Sequence, residues 1–133
     1  MRQVSELLTA RLDRKSQKEN SLILDIETYI NENYQDMDLT VQRAADHFQL
    51  SISNLSHYFK NHVGMSVSGY VEQLRMHAAQ ELLAQTDSSV SQIASEVGYA
   101  QPATFMRAFK KVSGMSPTAY RTMAREQAAR GNF

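Results

Sequence analysis

Several common features are missing from this sequence, and each absence excludes something. The 133 residues include no cysteine, which excludes a disulfide scaffold, a thiol nucleophile and a zinc site built on cysteine. Five glycines and two prolines are too few for a turn-rich β protein, whereas abundant alanine, leucine, glutamine and glutamate favour helices. No apolar run approaches the roughly 18 residues of a membrane span. Charges also interrupt the segment MRQVSELLTARLDRK, unlike the apolar stretch of a signal peptide. We therefore expect a helical, cytoplasmic protein with no membrane partner.

The chain also lacks a net charge, because it has 14 basic and 14 acidic residues. Such a balance counts against a nucleic-acid binder, since these domains commonly carry excess positive charge. The charges are unevenly distributed, however. Residues 21–38 hold five acids and no Lys or Arg, whereas residues 39–133 hold nine basic and six acidic residues. The neutral total therefore combines an acidic opening segment with a mildly basic remainder.

An internal repeat organises the chain. Residues 58–70 are YFKNHVGMSVSGY and residues 108–120 are AFKKVSGMSPTAY, with six of thirteen positions identical. The offset between the copies is 50 here and 49 further upstream, so the second copy has one extra residue near Ala100–Gln101. Two copies are fewer than a solenoid needs. The repeat predicts a tandem pair of small helical units.

Each copy has the pattern of two helices joined by a tight turn. The first helix of each copy has apolar residues at helical spacing: Val41, Ala44, Ala45 and Phe48 in one copy and Val90, Ile93, Ala94 and Val97 in the other. Gly64 and Gly114 are suited to end the second helices, and Pro102 suits the first helical position of its element. The predicted N-caps are Thr40, Ser51, Ser66 and Ser89, with Ser116–Pro117 starting the last helix.

The predicted fold is all-α, with about seven helices that form two helix–turn–helix subdomains joined by a long linking helix. The predicted ranges within a domain of residues 21–130 are about 39–63 for the first unit, 67–85 for the linking helix, about 89–113 for the second unit and about 117–128 for a closing helix. The linking helix would be about 28 Å long at the helical rise. Residues 1–20 are interpreted as a linker or the remnant of a preceding domain, through which the protein could dimerise.

Enzymatic and metal-binding functions find little support in the residues. No nucleophile–base pair or phosphate-binding loop stands out. His57 and His62 are five positions apart, a poor spacing for one helix face, and no zinc motif accompanies them. The acids of residues 21–38 lack the pattern of a calcium loop. We expect no enzyme activity, no cofactor and no metal. The main aromatic residues are interpreted as core: Phe48, Phe59, Tyr70, Phe105, Phe109 and Tyr120.

A helix–turn–helix inserts its second helix in the DNA major groove, and the second helix of each unit has polar residues that suit this role. The guanidinium of Arg107 can form two hydrogen bonds to the edge of a guanine, and the amide of Gln101 can form two to an adenine. Basic or polar residues later in each helix suit DNA phosphates, and those predicted to do so are Lys60, Asn61, Lys110 and Lys111.

The chain resembles the DNA-binding domain of AraC/XylS-family bacterial transcription regulators. The resemblance is carried by TDSSVSQIASEVGYAQPATFMRAFKKVSGMSPTAYR at residues 86–121 and by LTVQRAADHFQLSISNLSHYFKNHVGMSVSGYVEQLRMHAAQELL at residues 39–83. It implies promoter binding to double-stranded DNA and, usually, activation through RNA polymerase. The base contacts that it implies are Ser53, Ser56 and His57 in the first unit and Gln101, Ala103, Thr104 and Arg107 in the second.

Two questions stay open from the sequence. The zero net charge and acidic opening helix also fit a helical protein-interaction module that does not bind DNA. Arg75 on the linking helix could touch DNA or could fix the two lobes, and we favour the structural role because its helix is mainly a spacer. Gln49 occupies the first turn where the second unit has Gly98, so it must adopt a turn conformation that suits glycine.

Overall fold

The structure is a computed structural model that describes residues 20–131. These residues form seven helices joined by turns and loops, which confirms the predicted all-α class and helix count. The helices are α1 (20–33), α2 (Val41–His47), α3 (Ile52–Val63), α4 (Val67–Gln85), α5 (Val90–Glu96), α6 (Pro102–Ser113) and α7 (Pro117–Gly131). The expectation that residues 1–20 form a linker falls, except for residue 20, outside the described residues. The closing helix extends three residues past its expected end near 128.

Short polar side chains begin most of these helices, as the sequence predicts. In each case the side-chain oxygen accepts a hydrogen bond from the backbone N–H three residues later, at 3.0–3.1 Å. This bond satisfies one of the otherwise unpaired donors of a helix N-terminus. The caps are Thr40, Ser51, Ser66, Ser89 and Ser116.

Two separate apolar cores correspond to the two copies of the repeat. The first core is formed by buried residues of α1 to α3 and the start of α4: Ile23, Ile26, Ile30, Ala44, Ala45, Leu55, Phe59, Val67 and Val71. The second is formed by buried residues of the rest of α4, of α5 and the turn after it, and of α6: Met76, Ala79, Leu83, Ile93, Ala94, Val97, Phe105 and Phe109. From here on, the first unit is α1, α2, α3 and the start of α4, and the second unit is the rest of α4 with α5, α6 and α7.

The long helix α4 belongs to both units. Val67 and Val71 close the first core, whereas the later buried residues of α4 open the second. Those residues, Met76, Ala79 and Leu83, repeat the spacing of Ile23, Ile26 and Ile30 on α1. The C-terminal part of α4 therefore supports the second unit as α1 supports the first.

The sequence predicts an apolar stripe along α4 at helical spacing, and all of its residues are buried or half-buried: Val67, Tyr70, Val71, Leu74, Ala78 and Leu82. In the second half of α4, Ala78 and Leu82 are only half-buried, and the buried residues are Met76, Ala79 and Leu83. Five residues at the helical period place Met76 about 140° around the axis from Val71. The buried face shifts because α4 packs on two cores that lie on different sides of it, so a single stripe cannot describe the helix.

The predicted aromatic core is confirmed in full for three residues and in part for the rest. Phe59, Phe105 and Phe109 have no exposed surface. Tyr70 and Tyr120 are half-buried and place their rings edge-on against Phe59 and Phe109, with centroids 5.4 and 5.5 Å apart. The repeat thus preserves an aromatic pair in each unit; Phe48 is likewise half-buried.

Candidate nucleic-acid interface

The five residues predicted to contact DNA from α3 lie together on its outer face. Ser53, Ser56, His57, Lys60 and Asn61 line one shallow surface groove. All are exposed except Ser56, which is half-buried. Residues three and four apart in a helix share a face, and the inward face of α3 is taken by Leu55 and Phe59. The packing of the first core therefore fixes which side of α3 meets solvent.

The predicted residues of α6 lie on its outer face in the same way. Gln101, Ala103, Thr104, Arg107 and Lys110 are exposed, while Phe105 and Phe109 point inward. Gln101 is the N-cap residue, but its side chain makes no capping bond, so its amide is free of that role. Ala103 can offer only its methyl group, which suits the methyl group of thymine.

The two outer faces correspond position by position at the offset of 50. His57 and Lys60 on α3 become Arg107 and Lys110 on α6, and Asn61 becomes Lys111. Neither α3 nor α6 contains an acidic residue. The face of α6 is therefore the more cationic of two equivalent surfaces.

The offset also brings out two further outer-face residues: Asn54, which the sequence already offers as a polar residue of α3, and Met106, which was not predicted to lie there. Asn54 occupies the position of Thr104, and Met106 occupies the position of Ser56. Both are exposed, Met106 to 45%. The sequence by itself favours a gap-filling or surface role for Met106, and comparison of the repeat copies was the signal that could have placed it on this face.

One predicted phosphate contact has a partner within the protein. The Lys111 ammonium lies 3.4 Å from a carboxylate oxygen of Glu72 on α4. The Lys111 side chain is nevertheless 75% exposed, so the pair is a weak surface interaction. It leaves the lysine accessible to a phosphate.

A cation of the first unit, Arg43 on α2, is also paired within the protein. Arg43 donates to the carboxylate of Asp36 at 2.6 Å. This hydrogen bond from Arg43, helped by the backbone N–H of Asp38, lowers the pKa of Asp36. The acidic segment therefore neutralises a basic residue of its own unit and reduces the positive charge available there.

The turns inside the two helix–turn–helix motifs have matching hydrogen bonds but different residues. Leu50 N–H donates to Ala45 O at 2.8 Å, and Tyr99 N–H donates to Ala94 O at 2.9 Å. Gln49 has φ of 56° and Gly98 has φ of 108°. The prediction that Gln49 takes a left-handed conformation is confirmed.

After each helix–turn–helix motif, an arginine donates hydrogen bonds to the loop that precedes that motif. Arg75 donates to Tyr34 O at 2.8 Å and to Asp36 O at 3.1 Å. At the offset of 50, Arg125 donates to Thr86 O at 2.8 Å and to the Asp87 carboxylate at 2.7 Å. This contact supports the structural role that we favour for Arg75. The equivalence with Arg125 was not recognised from the sequence, although the repeat offset contains it.

A metal site and a membrane span are both absent from the part of the chain that the structure describes. Within residues 20–131, no group of three or more His, Asp or Glu side chains is arranged to hold a metal ion. None of the helices in that range is long and apolar enough to cross a membrane.

Comparison with known proteins agrees with the fold and with the two motifs. A family model described as a helix-turn-helix domain matches residues 44–123. The chain is 33% identical over 99 residues to the arabinose operon regulatory protein of Escherichia coli (strain K12), covering 74% of this chain and 34% of that protein. It spans only 15–36% of the length of three curated relatives that it matches.

Solved structures have the same arrangement of helices. The C-terminal domain of AraT, a response regulator from Geobacillus stearothermophilus, matches with a TM-score of 0.75 and 34% identity over 76% of this chain and 84% of that one. The DNA-binding domain of the global transcriptional factor AdpA, solved in complex with a target DNA, shares the fold at a TM-score of 0.74 and 24% identity, over 79% of this chain and 94% of that one. The chain belongs to the AraC/XylS family of transcription regulators, as one of its helix–turn–helix DNA-binding domains.

Proposed function

We propose that the chain reads double-stranded DNA with both motifs at once, α3 and α6 each entering a major groove. The observation that carries this proposal is the pair of equivalent, acid-free outer faces described above. Helix α4 between them has 19 residues, a length of about 28 Å. This is close to the roughly 34 Å between successive major grooves on one side of the duplex.

The outer faces suggest which residues contact bases and which contact phosphates. Arg107, Gln101 and Thr104 supply the polar groups that read base edges from α6, with Ala103 and Met106 beside them as apolar contacts. Ser53, Asn54, Ser56 and His57 do so from α3. Lys60, Asn61, Lys110 and Lys111 hold phosphates, and Lys111 exchanges its pairing with Glu72 for a phosphate. Such phosphate contacts set register, whereas base contacts set sequence preference.

We also propose that this binding regulates bacterial transcription, by activation through contact with RNA polymerase. The relatives are named as regulators, and a protein of the same fold is solved with its target DNA. Dimerisation through a further domain would place two copies on neighbouring sites. A role without catalysis or cofactor is in keeping with the residues of both faces.

Selection of bound sequences from a random duplex library tests the proposal. The expected result is a bipartite sequence whose halves are about one helical turn apart, bound with an affinity that falls steeply with salt. The variant in which Lys110 and Lys111 are both changed to glutamate should lose binding. Enrichment of no sequence, or binding that is insensitive to salt, would contradict DNA reading and favour a protein-interaction module.

A further inference from the structure

Apart from the shared helix α4, few contacts fix the relative orientation of the two units. Their apolar cores do not merge. Among α2 to α7, the substantial helix–helix contacts lie within one unit or include α4. A cavity of about 220 Å³ lies where the units meet, bordered by Leu39 and Val41 of the first unit, Val71 on α4 and Tyr99 of the second. Apolar packing across this junction is therefore incomplete.

Polar contacts bridge the same junction, and they converge on Arg75. Its guanidinium donates to Tyr34 O and Asp36 O in the loop of the first unit. The guanidinium carbon also lies 5.3 Å from the centre of the Tyr99 ring, in the turn of the second unit. A cation at this distance from an aromatic face is attracted by it. One side chain of α4 thus contacts both units.

Gly98 completes the junction by allowing the two backbones to approach. A Cβ atom on Gly98 would lie 2.7 Å from Tyr34 O and 2.9 Å from Nε of Arg75. Any side chain there would push the turn of the second unit away from the first. We call Tyr34, Asp36, Arg75, Gly98 and Tyr99 the arginine node.

We infer that the arginine node sets the rotation of the second unit relative to the first and so selects the spacing between the two half-sites in DNA. Arg75 is a positioning residue in this role, because it acts on α3 and α6 through the units that carry them. The part of the inference that concerns DNA rests on the proposed two-groove function. The part that concerns orientation does not.

Arg125 provides a matched control for Arg75. It occupies the equivalent position of the repeat and holds the equivalent loop, but Thr86 and Asp87 belong to its own unit. Arg75→Gln and Arg125→Gln therefore each remove an arginine that donates to the loop before its motif, although Arg121 still donates to Thr86 O and Ser88 O in the second loop. Only the first removes a contact between units.

The orientation is measured without DNA. Because the sequence has no cysteine, Gln42→Cys and Ser91→Cys introduce the only two sites for spin labels, at equivalent exposed positions of α2 and α5. The distance between the two labels, measured by double electron–electron resonance, should have one narrow distribution for the labelled parent and for Arg125→Gln. Arg75→Gln should give a broader or displaced distribution. An unchanged distribution in a folded Arg75→Gln protein would overturn the inference.

The spacing is measured on duplexes obtained by the selection described above, with base pairs inserted or deleted between the half-sites. Each base pair rotates one half-site by about 35° relative to the other. Insertion of two base pairs should weaken binding of the unaltered protein and of Arg125→Gln about tenfold or more. For Arg75→Gln the loss should shrink to about threefold, with single half-site affinity unchanged.

The outcomes separate this inference from the function on which it rests. A sharp spacing optimum that Arg75→Gln retains overturns the role of the node in DNA selection. An unaltered protein that binds single and paired half-sites equally contradicts the two-groove function instead, while the distance measurement still decides the orientation. If Arg75→Gln does not fold, Tyr99→Leu removes the ring beneath the guanidinium and keeps apolar volume, and the same two measurements apply to it.

Discussion

The two units share one backbone plan and differ most at the turn inside each motif. In the first unit this turn is exposed and carries Gln49, which tolerates φ of 56° at some energetic cost. In the second, Gly98 is buried against Tyr34 O of the first unit. The positive φ values explain why glycine would suit both turns. The close approach between units explains why only glycine fits the second.

The recognition helices differ in a second way. The outer face of α3 has one lysine and a histidine among small polar residues, whereas the equivalent face of α6 has an arginine and two lysines. Under the proposed two-groove binding, equal placement with unequal charge implies that α6 provides more of the affinity for DNA. The contribution of α3 depends more on aimed hydrogen bonds, which gain less from long-range attraction.

The largest expected effect tests whether the two cores are independent. Phe59→Ala and Phe109→Ala each remove a fully buried ring and should each cost about 3–5 kcal/mol of unfolding free energy. Because the cores do not merge, each loss should be concentrated in its own unit. Hydrogen exchange measured residue by residue checks this. Equal loss of protection in both units after either change would show a single cooperative unit instead.

The next effect sharpens the contrast between the turns. Gly98→Ala adds a Cβ against backbone at a strained φ, and should cost about 2–4 kcal/mol. Gln49→Gly relieves strain but adds freedom to the unfolded chain, so stability should change by less than about 1 kcal/mol. Chemical denaturation of both variants gives the comparison. Similar costs at the two turns would contradict the close-approach explanation.

A third prediction compares the outer faces on DNA. Arg107→Ala should cost about 1–3 kcal/mol in binding and relax preference at one base position. The equivalent change His57→Ala should cost less, because the always-charged guanidinium of Arg107 adds long-range attraction and can form two hydrogen bonds to one base. Fluorescence anisotropy on selected duplexes, repeated at several salt concentrations, measures both. A larger loss from His57→Ala would reverse the proposed division between α3 and α6.

The smallest expected effect concerns the stability of the fold at acidic pH. Because Arg43 lowers the folded-state pKa of Asp36 below its ordinary 3.8, the ionised carboxylate favours folding. That contribution is present above the ordinary pKa and is lost as pH falls through the lower folded-state value. The loss should be small, since both side chains are about 40% exposed. Thermal unfolding against pH should show a slightly shallower acid decline for Asp36→Asn, whereas an identical decline would contradict the linkage.

The sequence predicted the local elements because their signals are local. Short polar caps, helix-ending glycines and apolar spacing act within a few residues, so the described helix boundaries and the outer face of each recognition helix were accessible from the chain alone. The duplicated motif also gave the correct class and family. It contained the correspondence of Met106 with Ser56 and of Arg125 with Arg75 as well, although these equivalences were recognised only in the structure.

Tertiary structure alone decided the features that depend on two units meeting. The buried face of α4 changes direction between Val71 and Met76, because each end of the helix packs on a different core. Arg75 finds its partners 39 and 41 residues away, at a distance that no local pattern encodes. The net charge of zero is likewise a sum over the whole chain, and it does not say where the charges lie on the surface. Folding places the acid-free faces of α3 and α6 outward and pairs Arg43 with Asp36, so that the charge relevant to DNA is set by position and not by sum.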